Sequence, residues 1–254
     1  MITALTLLKY ALRLLTRSPL KTLEVVMPAL VLMGAVGVFA AVTAPDLLAN
    51  GPLLGDIDSV RDGLRMICFA LAFMFSYALM AILWHRHTLS DTRTPRRMSI
   101  SLLAGYLWRV FALSLIQLAA GFAMVVPLLV FSRTAQSADA TPALASMLIA
   151  TFITQLVLFW LSLRLSLILP AAALGKPIRM AQSWRYTVSI ARPLWGVAAV
   201  LALSKALLAG LVTMIDLASP GYRLAIELPV SALEGLLIFS VLTALYSVQA
   251  PRNT

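Results

Sequence analysis

Residues 25–45 read VVMPALVLMGAVGVFAAVTAP, a run without a single Asp, Glu, Lys, Arg or His. An α-helix that crosses about 30 Å of hydrocarbon at about 1.5 Å per residue needs roughly 20 apolar residues, and soluble cores do not require such lengths. Residues 66–84, 110–132 and 140–163 are equally free of ionisable side chains. We therefore expect four transmembrane helices from these stretches alone.

Two later stretches are long enough to span but contain ionisable residues. Residues 193–215 include Lys205, and residues 224–248 include Glu227 and Glu234. The whole chain is 61% hydrophobic and 12% charged, whereas soluble domains are about 25% charged. We predict an all-α, polytopic membrane protein that forms one integral membrane domain over residues 1–254. The six predicted spans cover residues 25–45, 66–84, 110–131, 143–163, 193–215 and 225–248.

The residues ahead of the first span predict an amphipathic helix. Within residues 1–22, Lys9, Arg13 and Arg17 recur at steps of four, and Leu5, Leu8, Leu12 and Leu15 fall on the other face. Such a pattern is typical of a helix that lies along a membrane surface. Proline at position 19 should end this helix, because the residue before a proline is pushed out of helical geometry. A full spanning length follows, so we interpret the start as an uncleaved membrane anchor rather than a signal peptide.

The lysines and arginines are distributed unequally between the segments that connect the spans. Fifteen fall on one side: Lys9, Arg13, Arg17, Lys21, Arg86, Arg93, Arg96, Arg97, Arg109, Arg164, Lys176, Arg179, Arg185, Arg192 and Arg252. Only four fall on the other: Arg61, Arg65, Arg133 and Arg223. Basic residues favour the cytoplasmic side. This asymmetry predicts a bacterial inner-membrane protein with both termini in the cytoplasm.

Lys205 and Glu234 are predicted to meet inside the membrane. If the turn between the last two spans centres near Pro220, Lys205 lies fifteen residues before it and Glu234 fourteen after it, each about 20 Å from the turn. An ionisable residue inside a span is costly and needs a partner. Three interpretations are open: a buried ion pair that fixes helix register, a site that handles protons or substrate, or no contact at all.

Glutamines also occur within two spans. Gln117 and Gln155 fall at comparable depths about Ser137, and an interhelical hydrogen bond of about 1 kcal/mol is the usual role of such residues. Glu24 and Arg164 begin and end their spans at the same membrane face. We expect that these two could pair.

Basic and aromatic residues cluster at the inner interface, where we expect them to contact anionic lipid headgroups. They are His85, Arg86, His87, Arg96, Arg97, Arg109, Arg164, Trp184 and Arg185. The two histidines are two positions apart and do not share a helix face, so they do not indicate a metal site. The basic residues are spread over four segments and leave no room for a recognition fold, which disfavours nucleic acid as a partner.

Motifs for chemistry are missing from the sequence. It contains no H-E-x-x-H, G-x-S-x-G, P-loop or G-x-G-x-x-G pattern, so the common metalloprotease, hydrolase, nucleotide and dinucleotide sites are not indicated. We expect no catalytic residues, no metal and no cofactor. Cys68 is the only cysteine, and we interpret it as a small buried apolar side chain. A weak compositional repeat suggests three units, about residues 1–85, 86–164 and 165–254, each with a basic aromatic segment before a helix pair.

Two groups of short motifs carry a resemblance. Trp84-His85-Arg86-His87 is followed by Tyr106-Leu107-Trp108-Arg109, and Arg164-Leu165-Ser166-Leu167-Ile168-Leu169-Pro170 is followed by Ser183-Trp184-Arg185-Tyr186-Thr187. Residues 84–195 thus resemble bacterial six-helix inner-membrane proteins of the YciC type and the membrane domain that precedes some glycerophosphodiester phosphodiesterases. The resemblance implies a membrane location and a six-helix fold. The soluble phosphodiesterase barrel is absent, so that activity is not implied.

The leading functional hypothesis is a non-enzymatic inner-membrane component that packs with lipids or with partner membrane proteins. The alternative is a small transporter or permease-like subunit in which Lys205 and Glu234 line a polar pathway. A lipid-modifying enzyme would need a convergent acid, base or metal cluster, which the sequence does not provide. A dry contact between Lys205 and Glu234 would favour the first hypothesis, and a water-accessible cavity beside them would favour transport.

Overall fold

A computed structural model describes residues 3–44, 60–89, 99–135, 140–218 and 223–249. Every regular element in these ranges is helical. The helices are α1 Ala4–Thr16, α2 Pro19–Thr43, α3 Val60–Leu89, α4 Ile100–Ala135, α5 Ala140–Leu165, α6 Ile168–Ala173, α7 Met180–Tyr186, α8 Ala191–Ala218 and α9 Arg223–Gln249, with a 3-10 turn at Val188–Ile190 before α8.

Six of these helices, α2, α3, α4, α5, α8 and α9, are long and apolar enough to cross a membrane. The predicted all-helical, six-span fold is therefore confirmed. The first spanning helix begins at Pro19 rather than near residue 25. Proline is tolerated at a first helical position because the N–H it lacks would have no intrahelical partner there.

The spanning helices keep an apolar exterior. Large hydrophobic side chains such as Val31, Val38, Leu118, Leu203 and Leu211 remain exposed on the bundle surface. Cys68 is exposed as well, so the expectation that it is buried is wrong. In water, so large an apolar surface would promote association. In a bilayer the same side chains face acyl chains, and the helices satisfy their own backbone hydrogen bonds.

α9 occupies the centre of the bundle. It packs against α1 and α3 and touches α2, α6 and α8, and its spanning segment is more deeply buried than that of any other described span. α8 packs mainly on α5, and α2 packs mainly on α3. Consecutive helices α8 and α9 make few contacts in their described parts, so the last two spans are not packed as a simple hairpin.

The N-terminal helix is capped and docked. Thr3 Oγ1 accepts from Thr6 N at 3.2 Å, and Thr6 Oγ1 accepts from Thr3 N at 2.9 Å, so two backbone donors at the helix start are satisfied reciprocally. Leu7 and Ala11 are buried against α8 and α9. A Cβ on Gly196 of α8 would lie 2.8 Å from the Cβ of Ala4, so this close approach requires glycine.

α1 also exposes two of the four leucines on its predicted apolar face. Leu5 and Leu12 point outwards, as do Lys9 and Arg13, whereas Leu8 and Leu15 are half-buried. Three surfaces therefore follow one another around the helix: a protein-facing stripe, an exposed leucine edge and a basic face.

The segment after α5 does not leave the bundle at once. The predicted spans place residues 164–192 in a cytoplasmic connection between the fourth and fifth transmembrane helices, yet all six residues of α6 are buried, against α4, α3 and α9. α6 ends at Ala173, and Gly175, two residues further on, has a φ of 71°. Lys176 N donates to Ala171 O and Gly175 N donates to Ala172 O, each at 2.9 Å. This is a Schellman motif, which glycine allows because it has no Cβ.

Candidate functional site

Lys205 and Glu234 form an ion pair between α8 and α9. Lys205 Nζ lies 2.7 Å from Glu234 Oε2, so the predicted contact is confirmed. The side chain of Glu234 is 12% exposed and that of Lys205 is 38% exposed. The depth argument holds because α8 ends at Ala218 and α9 begins at Arg223, which centres their connection near position 220.

The surroundings of this pair indicate a structural tie. Leu203 and Leu207 beside Lys205, and Leu233 beside Glu234, are exposed on the apolar surface. α8 and α9 have few other contacts in the parts that the structure describes. The pair therefore joins two consecutive helices that packing alone holds weakly together.

A separate cavity of about 570 Å³ lies among α3, α4, α5, α6 and α9. Most of its wall is apolar, with Phe73, Phe159, Ile238 and Leu242 among the lining residues. Its polar lining residues are Tyr77, Tyr106, Ser114, Gln117, Gln155, Ser162 and Ser166. None of the lining residues is charged, and neither Lys205 nor Glu234 is among them.

The two predicted glutamines both line this cavity. Gln117 Nε2 donates to Ser162 Oγ, so the expected interhelical hydrogen bond joins α4 to α5. Its acceptor is Ser162, which lies about two turns along α5 from Gln155. Gln155 contributes to the cavity wall, but the hydrogen bond between the two helices is made by Gln117 and Ser162.

Tyr106 adds a buried hydroxyl to the same wall. The residue is 0% exposed, and its OH has no hydrogen-bond partner in the described part of the chain. A buried polar group without a partner costs free energy, about 1–3 kcal/mol in mutational data. Tyr106 is among the residues that line the cavity, and a buried hydroxyl without a protein partner calls for an explanation such as a bound water or ligand.

Arg164 lies in an aromatic cage rather than beside Glu24. Its guanidinium carbon is 3.8 Å from the ring centroid of Trp184 and 5.4 Å from that of Trp160. Its Nε donates to Thr187 Oγ1 at 3.0 Å and its Nη2 to Trp184 O at 3.2 Å. The expected pairing with Glu24 is therefore wrong, and so is the expected contact with lipid headgroups, because Arg164 is buried. Arg164 joins the end of α5 to α7.

The position of His85 also differs from the prediction. It is completely buried, so the predicted contact with lipid headgroups is wrong. Its Nδ1 lies 2.9 Å from Thr243 Oγ1 on α9, and Thr243 Oγ1 donates its own proton to Phe239 O. His85 Nδ1 must therefore carry the proton of this hydrogen bond. A neutral His85 then presents an unprotonated Nε2, which has no partner among the residues described.

The remaining interface residues differ in exposure. His87, Trp184 and Arg185 are exposed, whereas Arg86 and Arg109 are half-buried. Arg109 Nη1 donates to Gly105 O at 2.6 Å within α4. Arg96 and Arg97 lie outside the described residues. No group of three or more metal-ligating side chains occurs in the described ranges.

The serines and Tyr106 were not identified from the sequence as cavity-lining residues, although their spacing within the spans indicates a shared face. Gln155, Ser162 and Ser166 follow one another at seven and four residues, and Tyr106 and Gln117 are eleven apart. Each of these three spacings keeps the side chains on one face of a helix. Polar residues on one face of an apolar span are a usable indication of a lined cavity.

Comparison with family models, with curated proteins and with solved structures finds no match to this chain. The resemblance to YciC-type proteins therefore stays a prediction from its short motifs.

Proposed function

We propose that the protein is a non-enzymatic component of the bacterial inner membrane that acts by binding and packing lipid at the cytoplasmic face. The observation that carries this proposal is the basic end of the bundle, where α1 lies, α3 and α9 end and α4 begins. There Lys9, His87, Trp108, Trp184 and Arg185 are all exposed.

The chemistry of the basic end matches a lipid interface. Tryptophan is enriched where one side of a ring meets hydrocarbon and the other meets headgroups. Lysine and arginine near an anionic leaflet contribute about 1 kcal/mol each. The exposed leucines of α1, Leu5 and Leu12, lie beside its basic residues, as in a helix that rests in the headgroup region.

The transport hypothesis has less support. Lys205 and Glu234 are paired with each other and neither lines the cavity. The pair is thus a closed contact rather than part of a polar pathway. An enzyme is also less well supported, because the cavity lining holds no charged side chain.

Anionic lipid should stabilise the protein through the basic end. We expect a higher Tm in nanodiscs of phosphatidylglycerol and phosphatidylcholine than in phosphatidylcholine alone, and a smaller difference at high salt because screening shortens the range of the attraction. Arg13→Gln should reduce the lipid-dependent shift. The matched control is Arg61→Gln, an exposed arginine at the opposite end of the bundle. Equal effects of the two substitutions would contradict the proposal.

The proposed orientation predicts the result of reporter fusions. Alkaline phosphatase fused after Arg97 or after Thr254 should be inactive, because both positions are proposed to be cytoplasmic, and a fusion after Asp58 should be active. Green fluorescent protein fusions at the same sites should give the reverse pattern. Phosphatase activity at Arg97 would reject this topology.

The proposed position of α1 predicts a difference between neighbouring spin labels. A label at Leu12 should be accessible to oxygen in the bilayer, and one at Arg13 should be accessible to a water-soluble nickel chelate. Both side chains are exposed on the protein surface, so burial in the bundle cannot produce the difference. Equal nickel accessibility at both positions would show that α1 lies in water.

A further inference from the structure

We propose that the cavity among α3, α4, α5, α6 and α9 binds an uncharged amphiphile, a single hydrocarbon chain that ends in an ester or hydroxyl group. This inference goes beyond the headgroup contacts of the basic end. It involves different residues and does not depend on the orientation of the chain in the membrane.

The size of the cavity suits a small ligand. Its volume is about 570 Å³, and ligand sites are typically about 300–1,000 Å³, largely apolar, with a few polar groups that orient the ligand. The lining has this composition. Phe73, Phe159, Ile238 and Leu242 offer a hydrocarbon surface, while Gln117, Gln155 and Tyr106 offer hydrogen bonds.

The absence of charge among the lining residues restricts the head of the ligand. A phosphate or carboxylate would be buried in this cavity without a counter-ion, which costs several kcal/mol or more. Amide and hydroxyl side chains both donate and accept, and can serve an ester carbonyl or an alcohol equally well. The lining therefore selects a neutral head.

One hydrogen-bonding group among the polar lining residues has no partner. Tyr106 OH is fully buried and has no partner among the described residues. Gln117 uses Nε2 on Ser162, and its carbonyl oxygen remains an acceptor. An ester oxygen or hydroxyl on a bound ligand would supply the acceptor that Tyr106 lacks once the side chains around its hydroxyl move, because the hydroxyl has no accessible surface in the ligand-free protein.

The route into the cavity leads from the lipid. Ser114 is the cavity-lining residue of α4 that is exposed. On the same helix its neighbours Phe111, Leu115 and Leu118 are exposed apolar side chains. α3 and α4 make few contacts with each other. The opening is therefore lateral, beside Ser114 between these helices, where hydrocarbon chains are the molecules available.

Photo-crosslinking of the full-length protein tests this proposal. The probe is a monoacylglycerol with a diazirine in its chain, added to protein in nanodiscs, and crosslinked peptides are identified by mass spectrometry. We expect labelling on α3, α4 and α5 at cavity-lining residues. Labelling spread evenly over the lipid-facing surface would overturn the proposal.

Two substitutions in α4 distinguish crosslinking inside the cavity from crosslinking on the lipid-facing surface. Ser114→Trp places an indole in the opening and should abolish cavity labelling, whereas Leu118→Trp, one turn further on the lipid-facing surface, should leave it intact. Equal labelling of the two variants would overturn the proposal. Size-exclusion chromatography and Tm identify a variant that fails to fold, in which case Ser114→Phe replaces it.

Tyr106→Phe tests the polar end with little risk to the fold. Removing an unpartnered hydroxyl should leave the Tm of the ligand-free protein unchanged or higher. The same change should raise by about tenfold the concentration of unlabelled monoacylglycerol that is needed to reduce labelling. A tenfold weaker affinity corresponds to one lost hydrogen bond of about 1.4 kcal/mol. Unchanged competition would show that the hydroxyl does not contact the ligand.

Two unlabelled lipids, added as competitors, distinguish the two sources of the bound hydrocarbon chain. Unlabelled monoacylglycerol should compete if the ligand is a free neutral lipid. If phosphatidylglycerol competes equally well, the occupant is one acyl ester of a bilayer phospholipid whose headgroup stays outside the cavity. Competition by neither lipid would overturn the proposal.

Discussion

Lys205→Met should destabilise the protein by about 3 kcal/mol, the lower end of the usual cost of stranding one member of a buried ion pair. The stranded residue would be Glu234, whose side chain is 12% exposed. Glu234→Leu should cost less, about 1–2 kcal/mol, because Lys205 is 38% exposed and its long side chain can reach toward an interface. The double variant should fall within about 1 kcal/mol of the wild type, since neither charge is left alone.

The measurement is a double-mutant cycle on unfolding in detergent. Leu207→Met and Leu233→Met form the control cycle, because both leucines are exposed on the same two helices. The control pair should show additive, near-zero effects. Additive losses in the Lys205 and Glu234 cycle would mean that the two charges act independently.

Gly235→Ala should be nearly as damaging, although it adds a single methyl group. A Cβ at this buried position would lie 2.2 Å from the hydroxyl oxygen of Tyr77 and 2.4 Å from its Cζ. Tyr77 would have to move, and its hydrogen bond to Ser231 O, 3.0 Å long, would be lost. Overpacking costs about 1–3 kcal/mol and the hydrogen bond about 1 kcal/mol. We expect a loss of about 2–4 kcal/mol in the free energy of unfolding.

Gly34→Ala is the control for this substitution, because no atom lies within 4 Å of the position its Cβ would take. It should be neutral or stabilise its helix by up to about 1 kcal/mol. Tyr77→Leu combined with Gly235→Ala should recover part of the loss by removing the ring that obstructs the methyl group. If both glycine variants melt at the same temperature, α3 and α9 do not approach as closely as described.

Much of this fold can be predicted from the length and composition of the apolar stretches and from the spacing of residues along the chain. The charge-free runs predicted four of the six spanning helices, and the length and apolar composition of residues 193–215 and 225–248 predicted the other two. Counting residues from Pro220 predicted the contact between Lys205 and Glu234, since two antiparallel helices joined by a short turn have a fixed depth relation.

The failures have a common physical cause. His85 stands among basic residues, which suggested an interface, but its partner Thr243 lies 158 positions away. Hydrophobic length does not specify which helices become neighbours, so contacts between non-consecutive helices could not be predicted. The cavity depends on five helices and was missed for the same reason. α6 has only six residues, too short for a periodic pattern, and its apolar residues were assigned to a loop.

The central position of α9 determines the order in which the bundle can be completed in the cell. Helices enter the membrane in the order of synthesis, at about 5–20 residues per second, and α9 is made after the other five spans. Until then α2 and α3 can pack on each other, but α1 and α3 lack the surface that α9 provides, and His85 lacks its partner Thr243. During that interval the early helices depend on lipid or on the insertion machinery to cover their polar groups. The last span to arrive converts a set of inserted helices into one closed bundle.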